Sequence, residues 1–338
     1  MNAIASRLRE ALVERFSSRW AVRDDDGILQ MTHRRGAQRS VRHRPPDAHG
    51  VVHCLRQSLA GAGLAIEGSL LPQRWNRDTD LTISAIQALD PWLKDRRRHV
   101  WREGFLPQPV VRFTGERRPD GQLADGYLTS FANISYVQRI TCARAHARLL
   151  DHWITALSAV GIHAGRLAVY GSLEVWHRPP VAGLTLLIDC DGRGLGDAVM
   201  LWNDSDPTFM ATDLGSGLER LCWYLAGDTW PRAAFGHLAD SHDLPLLDVT
   251  RTATLLIMAG IRAGHRGAGW ALRTVAQSID PHLASTGLSR LIREHHRYWA
   301  ALGVSGPPWP QVTSYLEEEV LRPRRPFAGA AIHPGRVR

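Results

Sequence analysis

The hydrophobic period of this chain changes near Asp248, and that change limits the architectures open to it. Ahead of it, short strand-like segments alternate with helical ones. Residues 51–63 read as a helix stopped by glycine. Residues 110–115 and 127–137 read as two strands around the polar loop 116–126, a long hairpin. Residues 146–161 have the apolar spacing of an amphipathic helix ended by Gly161. Strand patterns follow at 167–176, 184–189, 197–202 and 209–213, and a helix begins near Ser216. From Asp248 on, residues 247–264, 267–279 and 285–304 are three helical patterns separated by glycines and turn residues. Segregated strands and helices predict an α+β fold: a mostly antiparallel sheet with flanking helices, then a helical module. Residues 1–48 read as a basic N-terminal arm with a short helix from Ile4 to Phe16 and an arginine-rich stretch from Arg34 to Arg44. Residues 49–240 read as the sheet domain, 241–320 as the helical domain and 321–338 as a flexible basic tail.

Charge narrows the function classes. The formal net charge is +8, a balance that permits binding to nucleic acid or other polyanions. Lys94 is the only lysine, so the positive charge is almost all arginine. That bias suits a GC-rich genome and weakens the claim that each arginine was placed for a phosphate. A phosphate-binding P-loop needs a lysine after its glycines, and none is there. The kinase motifs are absent too. If the chain handles ATP, arginines and backbone groups must hold the phosphates. No apolar run is long enough to span a bilayer and no secretory leader is recognisable. The four cysteines form no Cys-x-x-Cys pair, and no metal site is assigned. A reduced, cytoplasmic setting without membrane attachment is the expectation.

The most informative segment runs from Thr212 to Leu221. It reads as a strand delivering Asp213, a glycine turn through Gly215 and Gly217, and a helix carrying Glu219 and Arg220 in its first turn. Glycines let a ligand approach the backbone closely. A helix N-terminus favours anions. Asp213 could pair with a substrate ammonium, and the planar fork of Arg220 suits a purine face or a phosphate.

This segment resembles motif 3 of class II aminoacyl-tRNA synthetases, most closely the form found in alanyl-tRNA synthetases. Further matches follow in the same chain order. Ser69-Leu70-Leu71-Pro72 and the segment 78–94 look like the start of that family's catalytic region. Val111-Arg112-Phe113-Thr114-Gly115 resembles the arginine-bearing strand of motif 2, and Phe131 to Tyr136 its returning strand. Residues 248–273 resemble the opening of the family's helical tRNA-recognition domain. The matches together cover about residues 60–278.

The resemblance implies a class II core that binds ATP, with Mg²⁺, and a small, alanine-like amino acid. Arg112 would hold the α-phosphate. Asp213 would grip the amino group, with Trp176 and Asn133 beside the amino acid. Gly215 and Gly217 would line the adenylate pocket, and Arg220 would cover the adenine and reach the terminal phosphates. His265 and Arg273 would face the acceptor. The implied activity is that of a ligase: formation of an aminoacyl-adenylate, then transfer to tRNA in protein biosynthesis. Such cores dimerise through motif 1, which leaves a homodimer open.

The departures carry information as well. Thr129 stands where motif 2 has a glutamate, and Ala124 to Ser130 lacks the family's paired histidines. His265 replaces the asparagine that reads the acceptor-stem wobble pair, and Ala268 and Thr274 replace arginines. The editing domain with its zinc motif has no counterpart. Two other readings therefore stand beside the first. One is a synthetase-like ligase serving a carrier protein or small molecule in specialised metabolism. The other is a non-catalytic paralogue that binds tRNA or an amino acid.

Overall fold

In a computed structural model describing residues 2–36, 47–74 and 77–323, nine strands and eleven α-helices are assigned. The chain begins with α1 (Ala3–Phe16), the hairpin β1 (Trp20–Asp25) and β2 (Ile28–His33), and α2 (Ala48–Gly61). There follow α3 (Asp90–Leu93), β3 (Gly104–Val111), β4 (Ser130–Ile140) and α4 (Ala143–Ala159). Five strands come next: β5 (Leu167–Ser172), β6 (Trp176–Arg178), β7 (Val181–Cys190), β8 (Arg193–Asn203) and β9 (Asp206–Gly217). The remainder is helical: α5 (Leu218–Ala226), α6 (Trp230–Phe235), α7 (Leu244–Met258), α8 (Gly267–Gln277), α9 (Pro281–Thr286), α10 (Leu288–Ala301) and α11 (Trp309–Leu321). The fold is α+β, as the change of period predicts.

The chain divides into two compact units. The first is Met1–Gly68, Ala85–Pro107 and Asn133–Gly227; the second is Ser69–Ser84, Gln108–Ala132 and Asp228–Arg338. This differs from a simple cut near residue 240. Two segments read as parts of the sheet domain group with the helical one, and hydrogen bonds within the second unit explain why. The Gln108 amide bonds both the N–H and the carbonyl of Leu70, at 2.8 and 3.0 Å. The Thr129 N–H donates to Asp248 on α7 at 2.8 Å, and Thr252, also on α7, bonds Ser130 at 2.9 Å.

The first unit is built on an antiparallel sheet ordered β1-β2-β5-β7-β8-β9-β4-β3, with β6 pairing β7 to one side. Strands β3 and β4 each begin in one unit and end in the other. The N-terminal region departs from the expected arm. Helix α1 is present, capped by Asn2, whose side chain accepts the Ile4 N–H at 2.9 Å. It buries Leu8, Leu12 and Phe16 along one face. Arg15 and Arg19 both reach Asp151 on α4, at 2.7 and 2.8 Å, which fixes α1 against that helix. The hairpin behind it turns at Asp26-Gly27, both at positive φ, a pairing that suits a two-residue turn. Residues 37–46, which hold most of the arginine-rich stretch, and 324–338, which hold nearly all of the tail, lie outside the described residues.

Helix α4 covers one sheet face. Its buried positions, His146, Leu149, Leu150, Trp153, Ile154 and Leu157, follow the helical period. Helix α2 packs against α4 and α5, and α4 packs against β8 and β9.

In the second unit α7 is the central helix, buried on nearly all sides from Leu247 to Met258. Helices α8, α10 and α11 pack against it. Three threonines sit inside it without leaving a hydroxyl unmet. Thr250, Thr252 and Thr254 each donate to the carbonyl four residues back, at 2.7, 2.8 and 2.7 Å. Among the described residues no helix is long and apolar enough to cross a membrane.

Candidate functional site

Strand β9 lies between β8 and β4, and its register sorts its residues by face. Residues directly opposite one another in an antiparallel pair share a face. Asp213 is opposite Val137 and Val199, Gly215 opposite Ser135 and Asp197, and Gly217 opposite Asn133. Asn133, Ser135, Asp197, Asp213 and Gly215 therefore lie on one face. Thr212, Leu214 and Ser216 lie on the other, beneath α4, where His146 Nδ1 meets the Thr212 hydroxyl at 2.7 Å. Burial holds that imidazole down to about 4, so it stays neutral near pH 7.

On the first face, three polar atoms converge above Gly215. A Cβ at that position would lie 2.8 Å from Ser135 Oγ, 3.4 Å from Asn133 Nδ2 and 3.5 Å from Asp197 Oδ1. Glycine keeps the backbone low enough for all three to lean over it. The Asn133 amide has a defined orientation, since its Oδ1 accepts the Ala85 N–H at 3.0 Å and leaves Nδ2 turned towards Gly215. Asp213 and Ser135 are nearly sealed from solvent, and Asp197 is half-buried. The Ser135 hydroxyl has no hydrogen-bond partner among the described residues. Leaving a buried polar group unmet costs about 1–3 kcal/mol, so such a group calls for an explanation.

This geometry corrects the reading of the glycines. Gly215 and Gly217 are not a turn between strand and helix. Strand β9 runs through both, and Gly217 has φ −76° and ψ 129°, ordinary extended backbone, where it caps α5. Helix α5 then starts directly at Leu218, with Glu219 buried in its first turn and Arg220 half-buried beside it.

Trp176 shares the face with Asp213 at a distance of several strands, through the pairings of Gly183 with Trp176 and with Leu201, and of Leu201 with Ala211. Its indole lies flat on Gly183, where a Cβ would come within 2.4 Å of the ring. Its N–H donates to Thr185 Oγ1 at 3.0 Å, and the Arg178 guanidinium stands 5.5 Å from the ring centroid. The tryptophan is half-buried, held at its N–H edge by Thr185 and faced by Arg178.

In the second unit, Arg112 falls just past the end of β3 rather than within it, although its N–H still donates to the Thr129 carbonyl at 2.7 Å. Its Nε donates to the Ile83 carbonyl, and its guanidinium stands 5.1 Å from the Phe131 ring centroid. His265 and Arg273, the two residues that the resemblance turns towards the acceptor, lie side by side, with Nδ1 of the one 3.5 Å from the guanidinium of the other.

A separate cleft of about 620 Å³ opens in the first unit, lined in part by Glu67, Trp101, Arg102, Glu103, Tyr136 and Arg148. Tyr136 pairs with Leu214, so the cleft is reached from the face opposite Asp213. Burial first, and then the Glu103 carboxylate, push the Tyr136 phenol up to about 12. Arg139 holds Glu103 at 2.7 Å.

Ser135, Asp197 and Thr185 escape a reading based on motifs. A signal for the first two exists nonetheless. Asn133 and Ser135 alternate with apolar residues in what is otherwise a core strand, and Asp197 is an acid within another. No protein-family model matches the chain, and no curated protein matches it.

Proposed function

We propose that this chain is a synthetase-like ligase that activates a small amino acid with ATP and passes it to an acceptor, tRNA in first place. The observation that carries the reading is the polar cluster over Gly215, beside the Asp213 carboxylate, at the centre of an antiparallel sheet. Asp213, Asp197 and Ser135 offer acceptor oxygens, which suit the ammonium of an amino acid and not a phosphate. The phosphates call for the guanidiniums that the resemblance assigns, Arg112 and Arg220, whose forks match phosphate oxygens. Mg²⁺ would arrive on the phosphates of ATP, and no side chain is assigned to it.

The chemistry needs no protein nucleophile. An oxygen of the substrate carboxylate attacks the α-phosphorus in line, the bond to pyrophosphate breaks, and pyrophosphate leaves with the electron pair. Positioning and charge stabilisation are what the residues supply. A hydroxyl, thiol or amine of the acceptor then attacks the activated carbonyl and AMP leaves.

Amino-acid-dependent ATP–pyrophosphate exchange, run with each common amino acid, tests the activation step. Exchange with at least one is expected, together with a loss of tenfold or more in Asp213→Asn and Arg220→Ala. A folded protein that exchanges with none would sink the reading and leave the non-catalytic paralogue.

A second reading keeps activation and changes the acceptor to a carrier protein or small molecule. His265, standing where the resemblance expects an asparagine, favours it. An imidazole lacks the paired donor and acceptor of the asparagine it replaces, and base readout depends on such pairs. Two tRNA transcripts differing only at the wobble pair separate the readings. Equal, salt-sensitive binding without charging supports the changed acceptor. Strong preference for the wobble transcript overturns it.

A further inference from the structure

The resemblance assigns no role to Ser135 or Asp197, and both lean over Gly215 beside Asp213. The Ser135 side chain is fully buried, with no partner for its hydroxyl among the described residues. Its oxygen leans over Gly215, where the backbone offers no Cβ to meet it. Asp197 leans over the same glycine from β8. Asp213 lies two residues along β9 on the same face, diagonal to Asp197 across the pair. Diagonal neighbours of this kind lie about 7–8 Å apart, with their Cβ atoms somewhat closer, near enough for two carboxylates to meet one small group between them.

We propose that Ser135 Oγ, Asp197 and Asp213 form a three-acceptor cradle for a primary ammonium group, so that this face selects small primary amines. The inference rests on the amino-acid reading above and narrows it. A primary ammonium carries three N–H donors, and the three side chains supply three acceptors. A carboxylate has about four lone-pair positions, so a bond to a neighbour within the protein still leaves room for a ligand. Two carboxylates on adjacent strands repel one another, and a cation between them relieves that repulsion. The Asn133 Nδ2 donor stands at the margin of the cradle, where it can meet an oxygen of the ligand. An N-methyl group removes one donor and adds bulk where an acceptor waits. A hydroxyl in place of the ammonium removes the charge and two donors. Both changes leave buried acceptors unmet, and sites of this kind discriminate strongly against such analogues.

The test is direct binding by calorimetry without ATP, at near-physiological salt. The ligands are glycine and the common L-amino acids, with N-methyl and α-hydroxy counterparts of any that bind. At least one primary amine should bind, its N-methyl form at least tenfold more weakly, and its hydroxy acid undetectably. Ser135→Ala and Asp197→Asn should each weaken the primary amine at least tenfold and narrow its advantage over the N-methyl form. Melting temperature is measured alongside. Ser135→Ala should melt at or above the parent, because the substitution removes a buried hydroxyl that the fold leaves unmet. Failure of every primary amine to bind, equal affinity for the N-methyl form, or unchanged binding in both variants overturns the proposal. Discriminating binding without pyrophosphate exchange keeps the cradle and sinks the activation reading. Exchange without discrimination does the reverse.

Discussion

Arg251 in the second unit and Asp213 in the first are both charged side chains nearly sealed from solvent, at 3% and 7% exposure. Their surroundings differ. The Arg251 guanidinium lies between two rings, 4.0 Å from the Phe235 centroid and 4.2 Å from that of Tyr298. It also donates to the Ala234 carbonyl at 2.6 Å. Nearby, His295 bonds Thr250 at 3.0 Å, and Asp248 accepts the Thr129 N–H. These groups join helices and loops of one unit to one another. Beside Asp213 the Ser135 hydroxyl has nothing comparable. Around Arg251 buried polar groups join parts of one unit to one another, whereas on the proposed reading those of the sheet face meet a ligand. If that contrast is right, substitutions in the two places should fail in different ways.

The largest effect is expected at Arg251. Arg251→Ala removes a buried cation, its two ring contacts and its bond to Ala234, and should cost about 3–5 kcal/mol. Urea unfolding followed by circular dichroism measures it. A loss under about 1 kcal/mol would break the contrast from the helical side.

pH provides the next test, with opposite signs in the two units. Burial is the main influence raising the Asp248 carboxyl from 3.8 to about 6, and its bonds with Thr129 oppose the rise. Its contribution to stability is present below 3.8 and lost as pH rises through 6, a change of about 3 kcal/mol. Asp248→Asn removes that dependence, so the variant should gain on the parent by about 2 kcal/mol between pH 4 and 7. In the first unit, burial lowers His146 from 6.5 to about 4. That contribution is present above 6.5 and lost as pH falls through 4. His146→Gln should therefore lose less stability than the parent on acidification, again by about 3 kcal/mol at most. Parallel unfolding curves at several pH values decide both cases. A variant that tracks the parent in either series removes that residue from the account.

The smallest effects on stability belong to the sheet face. Gly215→Ala puts a methyl 2.8 Å from Ser135 Oγ and should cost about 1–2 kcal/mol. Adding Ser135→Ala should recover part of that loss without restoring ligand binding, a coupling that a double-mutant cycle detects. Additive losses would show that the hydroxyl does not occupy the space over Gly215. Ser135→Ala alone should change stability by no more than about 1 kcal/mol, with its effect showing in binding.

Much of this was legible in the sequence, because period and capping are local. Helix α4, its end at Gly161 and the helices after Asp248 follow from spacing alone. The hairpin β1–β2 is hard to read from sequence because its strands are short, the first carries three charged residues, and the second pairs with a strand far along the chain. Gly215 was singled out for a reason the structure changes. Glycine-rich segments usually signal turns, and only cross-strand register reveals that a glycine serves the side chains of two neighbouring strands. Ser135 and Asp197 belong to no motif. They matter because β4 and β8 flank β9, which no residue pattern within either strand states.

The pairing of β2 with β5 bears on how this protein is made. Strand β5 starts at Leu167, so β2 emerges from the ribosome roughly 130 residues ahead of its neighbour, a wait of about 7–26 s at typical rates of synthesis. Throughout that interval the edge of β2 that pairs with β5 in the finished sheet has no partner strand. Exposed strand edges of this kind recruit other chains. The yield of folded protein should therefore depend on what shields the first hairpin during translation, and slower synthesis should lower it.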